Sequence, residues 1–267
     1  MRKSMLIPMQ AERRDQPIAV FDSGLGGISV LRALVRYMPA ERFYYFGDSA
    51  NAPYGSKPFS QIRHLTIQHA KRFFEEGAKA LVVACNTATS VAIDELRQLY
   101  PDRIIIGIEP AIKPAIENFP KGKIVVMATP TTLRERKFEE LVTNYANRCE
   151  IIKCPCPALV ELVERGELCG ETAEKAVLEY VGSCLEPLPD AIVLGCTHFP
   201  FLKNAIRCVV GSTPKIFDGA EGTALQTQRR LSEAGLLREG IGEVRIENSL
   251  KDPAILNLSA KLLQITI

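Results

Sequence analysis

The apolar run Ala80-Leu81-Val82-Val83 passes directly into Ala84-Cys85-Asn86-Thr87, and the same phrase recurs as Ala191-Ile192-Val193-Leu194 followed by Gly195-Cys196-Thr197-His198. A short apolar run that stops at small and polar residues reads as a strand buried on both faces, the kind found in helix-covered parallel sheets. Each such strand ends in a thiol with hydroxyl and amide groups just beyond it. That is the carboxyl edge where open α/β sheets place ligands. One thiol from each half of the chain predicts a ligand held between two cysteines. The arrangement suits removal of a proton from one face of a carbon and delivery of a proton to the other.

Further buried-strand candidates lie at 18–21, 42–46, 104–107, 124–127, 150–152 and 215–217. Helical periodicity fills 27–37, 60–76, 87–99, 133–146, 158–164, 172–185, 201–209 and 223–234, and a last apolar segment covers 260–267. Strands alternating with helices predict the α/β class with parallel sheets covered on both faces. The pattern is duplicated. The strand before Asp22-Ser23-Gly24 matches the strand before Ala128-Thr129-Pro130, and each is followed, after a comparable interval, by one of the two cysteine phrases. Two α/β units facing each other are expected, with 109–122 as the crossing between them.

With 267 residues, 46% hydrophobic, the chain can bury a large core, and its net charge of +2 gives no reason to expect a nucleic-acid partner. The basic residues of Arg134-Glu135-Arg136-Lys137 are mixed with glutamate and read as a solvated helix face. No apolar run approaches the roughly 20 residues of a membrane helix, and residues 1–16 lack the apolar region of a signal peptide. Those residues read as a loosely held extension, and a cytoplasmic protein without a membrane partner is expected. Its 8 cysteines are expected to be reduced, with Cys184 and Cys208 serving as small hydrophobes inside helical segments.

Asp22-Ser23-Gly24-Leu25-Gly26-Gly27 is a glycine-rich turn into a helix, but Ser29 breaks a dinucleotide fingerprint and no Gly-Lys-Ser/Thr makes a phosphate loop. Two readings stand: an anion site at a helix N-terminus, or a structural tight turn. The loop Asn51-Ala52-Pro53-Tyr54-Gly55-Ser56 either bends over the same crevice or is an ordinary connection. A helix start beside Cys85 or Cys196 is expected to lower the thiol pKa and make it a usable base. A cysteine hydrolase would need one thiol with a histidine; His198 is near Cys196 in sequence, whereas His64 and His69 read as surface or core residues. A zinc site would draw on Cys154, Cys156, Cys196 and His198, but the spacing lacks paired Cys-x-x-Cys and no metal is expected.

Phe21-Asp22-Ser23-Gly24-Leu25-Gly26-Gly27, Asn51-Ala52-Pro53-Tyr54-Gly55, Ala84-Cys85-Asn86-Thr87-Ala88, Ala128-Thr129-Pro130-Thr131-Thr132 and Leu194-Gly195-Cys196-Thr197-His198 together resemble the glutamate racemase family, within the aspartate/glutamate racemase superfamily. These are cofactor-independent isomerases that supply D-glutamate for bacterial peptidoglycan. The resemblance implies two similar doubly wound parallel-sheet domains with the active site in the cleft between them. It places the first domain at 17–109 plus 223–267 and the second at 110–222. It also implies a two-base mechanism, in which Cys85 takes the α-proton from D-glutamate and Cys196 takes it from L-glutamate. Asp22 and His198 match residues that support proton transfer at the two thiols, and Glu164 matches a further acidic helper. Asp22, Ser23, Tyr54, Gly55, Asn86, Thr87, Thr129, Thr132, Thr197 and His198 match substrate binders. No cofactor is implied, and a homodimer is expected. The chain departs from the family where Ala128-Thr129-Pro130-Thr131-Thr132 stands for Gly-Thr-x-Gly-Thr, and where Asp218-Gly219-Ala220 lacks a serine.

The α-proton of an amino acid is weakly acidic, and no pyridoxal-lysine motif is visible as an electron sink. Aligned N–H groups and hydroxyls in a dry cleft would have to stabilise the carbanion. Two coupled thiols predict a bell-shaped pH profile. An aspartate racemase would share the thiol pair and differ in its side-chain pocket.

Overall fold

The computed structural model describes residues 12–145 and 147–265. Nine strands form two wholly parallel sheets among the described residues. The first contains β1 (Ile18–Asp22), β2 (Arg42–Gly47), β3 (Ala80–Val83), β4 (Ile104–Gly107) and β9 (Glu243–Asn248), in the order β4-β3-β1-β2-β9. The second contains β5 (Lys123–Ala128), β6 (Glu150–Pro155), β7 (Ala191–Leu194) and β8 (Lys215–Asp218), in the order β6-β5-β7-β8. Setting β9 aside, both sheets have the same order: second strand, first, third, fourth. The duplication read from the sequence is therefore one of topology.

Helices α1 (Ile28–Tyr37), α2 (Phe59–Glu75) and α3 (Asn86–Leu99) connect the first sheet. Helix α4 (Ile112–Asn118) lies in the crossing, where the sequence suggested only a connection. The second sheet carries α5 (Pro130–Arg134), α6 (Arg136–Tyr145), α7 (Leu159–Glu164), α8 (Glu171–Val181) and α9 (Lys203–Val210). Helix α10 (Ala220–Glu233) leads back to β9, which pairs with β2, and α11 (Pro253–Gln264) closes the fold. The single helix expected over 133–146 breaks at Glu135, whose backbone is extended; residue 146 lies outside the described residues.

Strand side chains alternate between faces. Ala19, Phe21, Leu81 and Val83 point into one core under α2 and α3. Ile18, Val20, Ala80 and Val82 point the other way and join Val125, Met127, Ile192 and Leu194 of the second sheet in one continuous apolar core. The facing sheets thus share their packing, which fixes their carboxyl edges relative to each other. Ser29 Oγ adds a polar tie, donating to Gly26 O at 2.8 Å and to Thr197 O at 2.9 Å across the seam.

The end of the N-terminal extension is held rather than loose. Arg14 Nε donates to Gly235 O at 2.8 Å, and Lys79 Nζ donates to Arg14 O at 2.7 Å and to Glu41 Oε2 at 2.6 Å. Residues 1–11 of that extension lie outside the described residues. All eight cysteines are free thiols; Cys184 is buried as expected, but Cys208 is exposed, since it lies on the outer side of α9. No described helix is long and apolar enough to cross a membrane.

Candidate active site

Strand order reverses between β1 and β3 in one sheet and between β5 and β7 in the other, so each sheet opens a crevice at those carboxyl ends. The two crevices meet in one cavity of about 420 Å³. The first unit supplies Ser23 after β1 and Cys85, Asn86 and Thr87 after β3. The second supplies Thr129 after β5 and Cys196, Thr197 and His198 after β7. Tyr54 and Gly55 of the loop after β2 complete the wall. The two cysteines reach the same cavity from equivalent positions of the two sheets.

Cys85 is the N-cap of α3. Its Sγ accepts from Ala88 N–H and donates to Ser23 Oγ, both at 3.5 Å. The expectation of a lowered thiol pKa does not hold at Cys85. Burial, with the nearby Asp22 carboxylate, pushes the thiol up to about 12, and the Ser23 and Ala88 bonds offset only part of this. Cys196 Sγ instead lies 3.6 Å from His198 Nδ1, and His198 Nε2 lies 2.7 Å from Glu164 Oε1. Burial works against a charged imidazole there, but hydrogen bonds with Cys196 and Glu164 raise His198 well above its ordinary pKa. Glu164 is likewise opposed by burial, yet the bonds from His198 and the Leu25 N–H (2.7 Å) bring its carboxyl below the usual range.

The glycine turn resolves the choice between anion site and structural turn in a third way. Gly24 N–H donates to Asp22 Oδ2 at 2.9 Å and Leu25 N–H to Glu164 Oε1, so the anions at this helix start are the protein's own. The glycines are required by close approach. A Cβ at Gly24 would stand 2.1 Å from Glu164 Oε1, and one at Gly26 2.3 Å from His198 Nδ1. Asp22 is wholly buried behind the wall, its Oδ1 accepting from Thr197 Oγ1 at 3.1 Å. Burial first of all raises its pKa.

Asp22, Glu164 and Thr132 therefore back the cavity and do not line it. Thr132 Oγ1 sits 3.0 Å from Thr129 Oγ1 and 3.3 Å from Thr87 Oγ1, a hydroxyl cluster across the seam. The proline in the departing motif starts α5, and Thr129 Oγ1 caps it by accepting from Thr132 N–H at 3.3 Å. Tyr54 Oη donates to the buried Asp48 at 2.7 Å, which also faces His69 Nε2 at 3.1 Å. His69 thus packs its half-buried ring against Phe21, Phe46 and Phe73 and braces the loop, and the Tyr54 hydroxyl is engaged by Asp48. Asn86 Oδ1 is buried without a hydrogen-bond partner among the described residues. Arg134 and the stretch containing Pro157, Ala158, Val160 and Glu161 also line the cavity. Sequence reasoning missed them because they carry no motif and Arg134 belongs to a solvated, charged stretch. Cys154 and Cys156, both free thiols, are within hydrogen-bond reach of each other at 3.5 Å, and no described group of three or more histidine, cysteine or acidic side chains is arranged to hold a metal.

Comparison with known proteins agrees with this architecture. The sequence profile of the Asp/Glu/hydantoin racemase family matches residues 18–227. The glutamate racemase of Clostridium acetobutylicum is 48% identical over 254 residues, covering 94% of this chain and 99% of the relative. That of Clostridium perfringens is 46% identical over 259 residues, covering 96% of this chain and 100% of the relative. The crystal structure of Francisella tularensis glutamate racemase in complex with D-glutamate superposes with a TM-score of 0.82 at 27% identity, over 95% of this chain and 96% of that one. Escherichia coli glutamate racemase, in complex with L-glutamate and the activator UDP-MurNAc-Ala, gives 0.77 at 29% identity, over 93% and 92%. The resemblance carried by five short motifs extends over nearly the whole sequence and fold, and the chain belongs to the Asp/Glu/hydantoin racemase family of isomerases.

Proposed function

We propose that this chain is a cofactor-independent glutamate racemase that interconverts L- and D-glutamate by proton transfer between Cys85 and Cys196, and that it supplies D-glutamate for peptidoglycan. The observation that carries this reading is that both thiols line one cavity from matching strand ends of two opposed sheets. Inversion needs a base on one face of the α-carbon and an acid on the other, and a thiolate facing a thiol provides both.

The two thiols enter the reaction from different surroundings. Cys85, pushed up to about 12, is a thiol at neutral pH and so the acid. Cys196 has a proton acceptor in His198, whose imidazolium is stabilised by Glu164. With Cys196 as base and Cys85 as acid, L-glutamate becomes D-glutamate, and the roles reverse for the return. The substrate ammonium is the donor that the orphan Asn86 Oδ1 lacks. The first N–H groups of α3, which have no intrahelical acceptor, face the α-carboxylate and the charge that develops on it. The Thr87 and Thr129 hydroxyls, 3.0 Å apart, hold the same group from the two units, and Ser23, Thr197 and the Tyr54–Gly55 backbone complete the cradle. Asp22 positions Thr197, and its charge adds to the burial that keeps Cys85 protonated.

Circular dichroism of L-glutamate incubated with the pure protein and no added cofactor tests the assignment. The signal is expected to decay to zero as the racemate forms, and to persist with L-aspartate. Decay with aspartate and not glutamate would overturn the substrate. The reading also carries a cytoplasmic homodimer, which sedimentation tests against the 29.5 kDa mass of one chain.

A further inference from the structure

Beyond the two cavity thiols, the second unit holds a thiol pair that proton transfer does not use. Cys154 lies in β6, the edge strand of its sheet, and Cys156 follows two residues on, so their side chains emerge on the same side. Their Sγ atoms are 3.5 Å apart. Cys154 Sγ donates to Tyr180 O at 3.3 Å, and the single Cys156 S–H is shared between Cys154 O at 3.2 Å and Cys154 Sγ, which turns the two side chains toward each other. The Cys156 bond draws the Cys154 thiol below its ordinary pKa. Both residues are buried, and Pro157 directly after them lines the substrate cavity.

We propose that Cys154 and Cys156 form a reversible oxidation site, a dithiol that a peroxide converts into an intrachain disulfide beside the cavity. The Cys154 thiolate attacks one peroxide oxygen, gaining an S–O bond as the O–O bond breaks and hydroxide leaves to be protonated. Cys156 then attacks the sulfenyl sulfur, the S–O bond breaks, and a second water departs. Two thiols and one hydrogen peroxide thus become a disulfide and two waters. A thiol reductant reverses the change by exchange.

The disulfide has a mechanical consequence. Sulfur atoms 3.5 Å apart must close to about 2.05 Å. Cα atoms two residues apart in an extended strand are separated by roughly 6.4–6.8 Å, the top of the disulfide range. Closure therefore draws in the end of β6 and pulls on the stretch that follows. That stretch contributes Pro157, Ala158, Val160 and Glu161 to the cavity and carries Glu164 on α7, whose carboxylate holds His198. Oxidation here disturbs the Cys196 side of the site without touching Cys196.

The test treats the native protein with hydrogen peroxide, alkylates remaining thiols and digests with trypsin. Cleavage after Lys153 and Arg165 isolates Cys154 and Cys156 on one peptide with no other cysteine. The expected peptide is lighter by two hydrogens and unalkylated, a readout that does not depend on the racemase assignment. Racemisation is expected to fall by on the order of tenfold or more and to return with dithiothreitol. C154S and C154A are expected to keep basal activity and to lose less activity than wild type at the same peroxide dose. The proposal is overturned if this peptide stays fully alkylated at doses that oxidise Cys196. It is equally overturned if Cys154 is found linked to Cys184, or if C154S and C154A lose activity as wild type does.

Discussion

Cys85 and Cys196 occupy the same position in two copies of one topology, the second residue past the third strand of a unit, yet their surroundings differ in kind. Cys196 lies beside His198, which Glu164 braces; Cys85 has a serine hydroxyl and a backbone N–H, and its own burial, together with a buried carboxylate, keeps its proton on. The topology delivers each sulfur to the carboxyl edge of its sheet, and the neighbours it meets there differ. Nothing in the fold requires the two thiols to be alike. The glycine turn after β1 shows how closely the halves are joined, since Gly24 and Gly26 leave only enough room for Glu164 and His198 of the other unit.

The comparison breaks first at the thiols themselves. Cys85→Ala and Cys196→Ala are each expected to lower racemisation by about 10⁴-fold or more with an unchanged far-UV spectrum. A single-thiol variant that keeps about a tenth of wild-type activity would mean that the halves are not both needed. Next comes the relay present on one side only. His198→Asn is expected to cost roughly 10²–10⁴-fold in kcat/KM. Because enantiomers have equal free energy, that loss must be the same from L- and from D-glutamate, although kcat and KM can divide differently. An unaffected kcat/KM would reduce His198 to a packing residue.

Gly26→Ala sharpens the contrast by pressing a methyl group against His198 Nδ1 and Thr197 Oγ1, where the Cβ would stand 2.3 and 2.6 Å away. Activity is expected to fall by on the order of 10–100-fold. The Cys85 side should be untouched, as read by its alkylation rate.

The smallest effect is on stability. Cys85 keeps its proton in the folded chain to about pH 12, whereas the unfolded chain releases it near the ordinary thiol value of 9.0. The unfolded state then binds fewer protons, so this group makes stability fall as pH rises from the ordinary value toward the folded one. Urea unfolding across that window should show a shallower decline in Cys85→Ala than in wild type. Equal slopes would mean that Cys85 is not held protonated by its site.

Much of this was legible in the sequence, for a physical reason. Buried parallel strands are continuous apolar runs, so β3, β4 and β7 begin and end where the sequence places them. β9 was not legible: Glu243-Val244-Arg245-Ile246-Glu247-Asn248 alternates charge with apolar residues because it is an edge strand, half exposed, and it offers no continuous apolar run. α4 was hidden by Pro110, Pro114 and Pro120, which signal a connection. At the site, the motifs marked the residues that approach each other. They did not separate those that line the cavity from those behind it, because Asp22, Thr132 and Glu164 act through hydrogen bonds that only the folded chain makes. Nor did they foresee the raised Cys85 thiol. A helix start favours thiolate, but complete burial beside a carboxylate outweighs it, and burial is a tertiary property.

The most direct test of two bases on opposite faces is racemisation by the wild-type protein in D₂O, followed by proton NMR of the separated enantiomers at early times. The account predicts that each molecule of product carries deuterium at the α-carbon while unreacted substrate retains its protium, whichever enantiomer is supplied. Product that keeps the substrate's own proton, or substrate that acquires deuterium before it inverts, would point to a single base reaching both faces and would contradict the account.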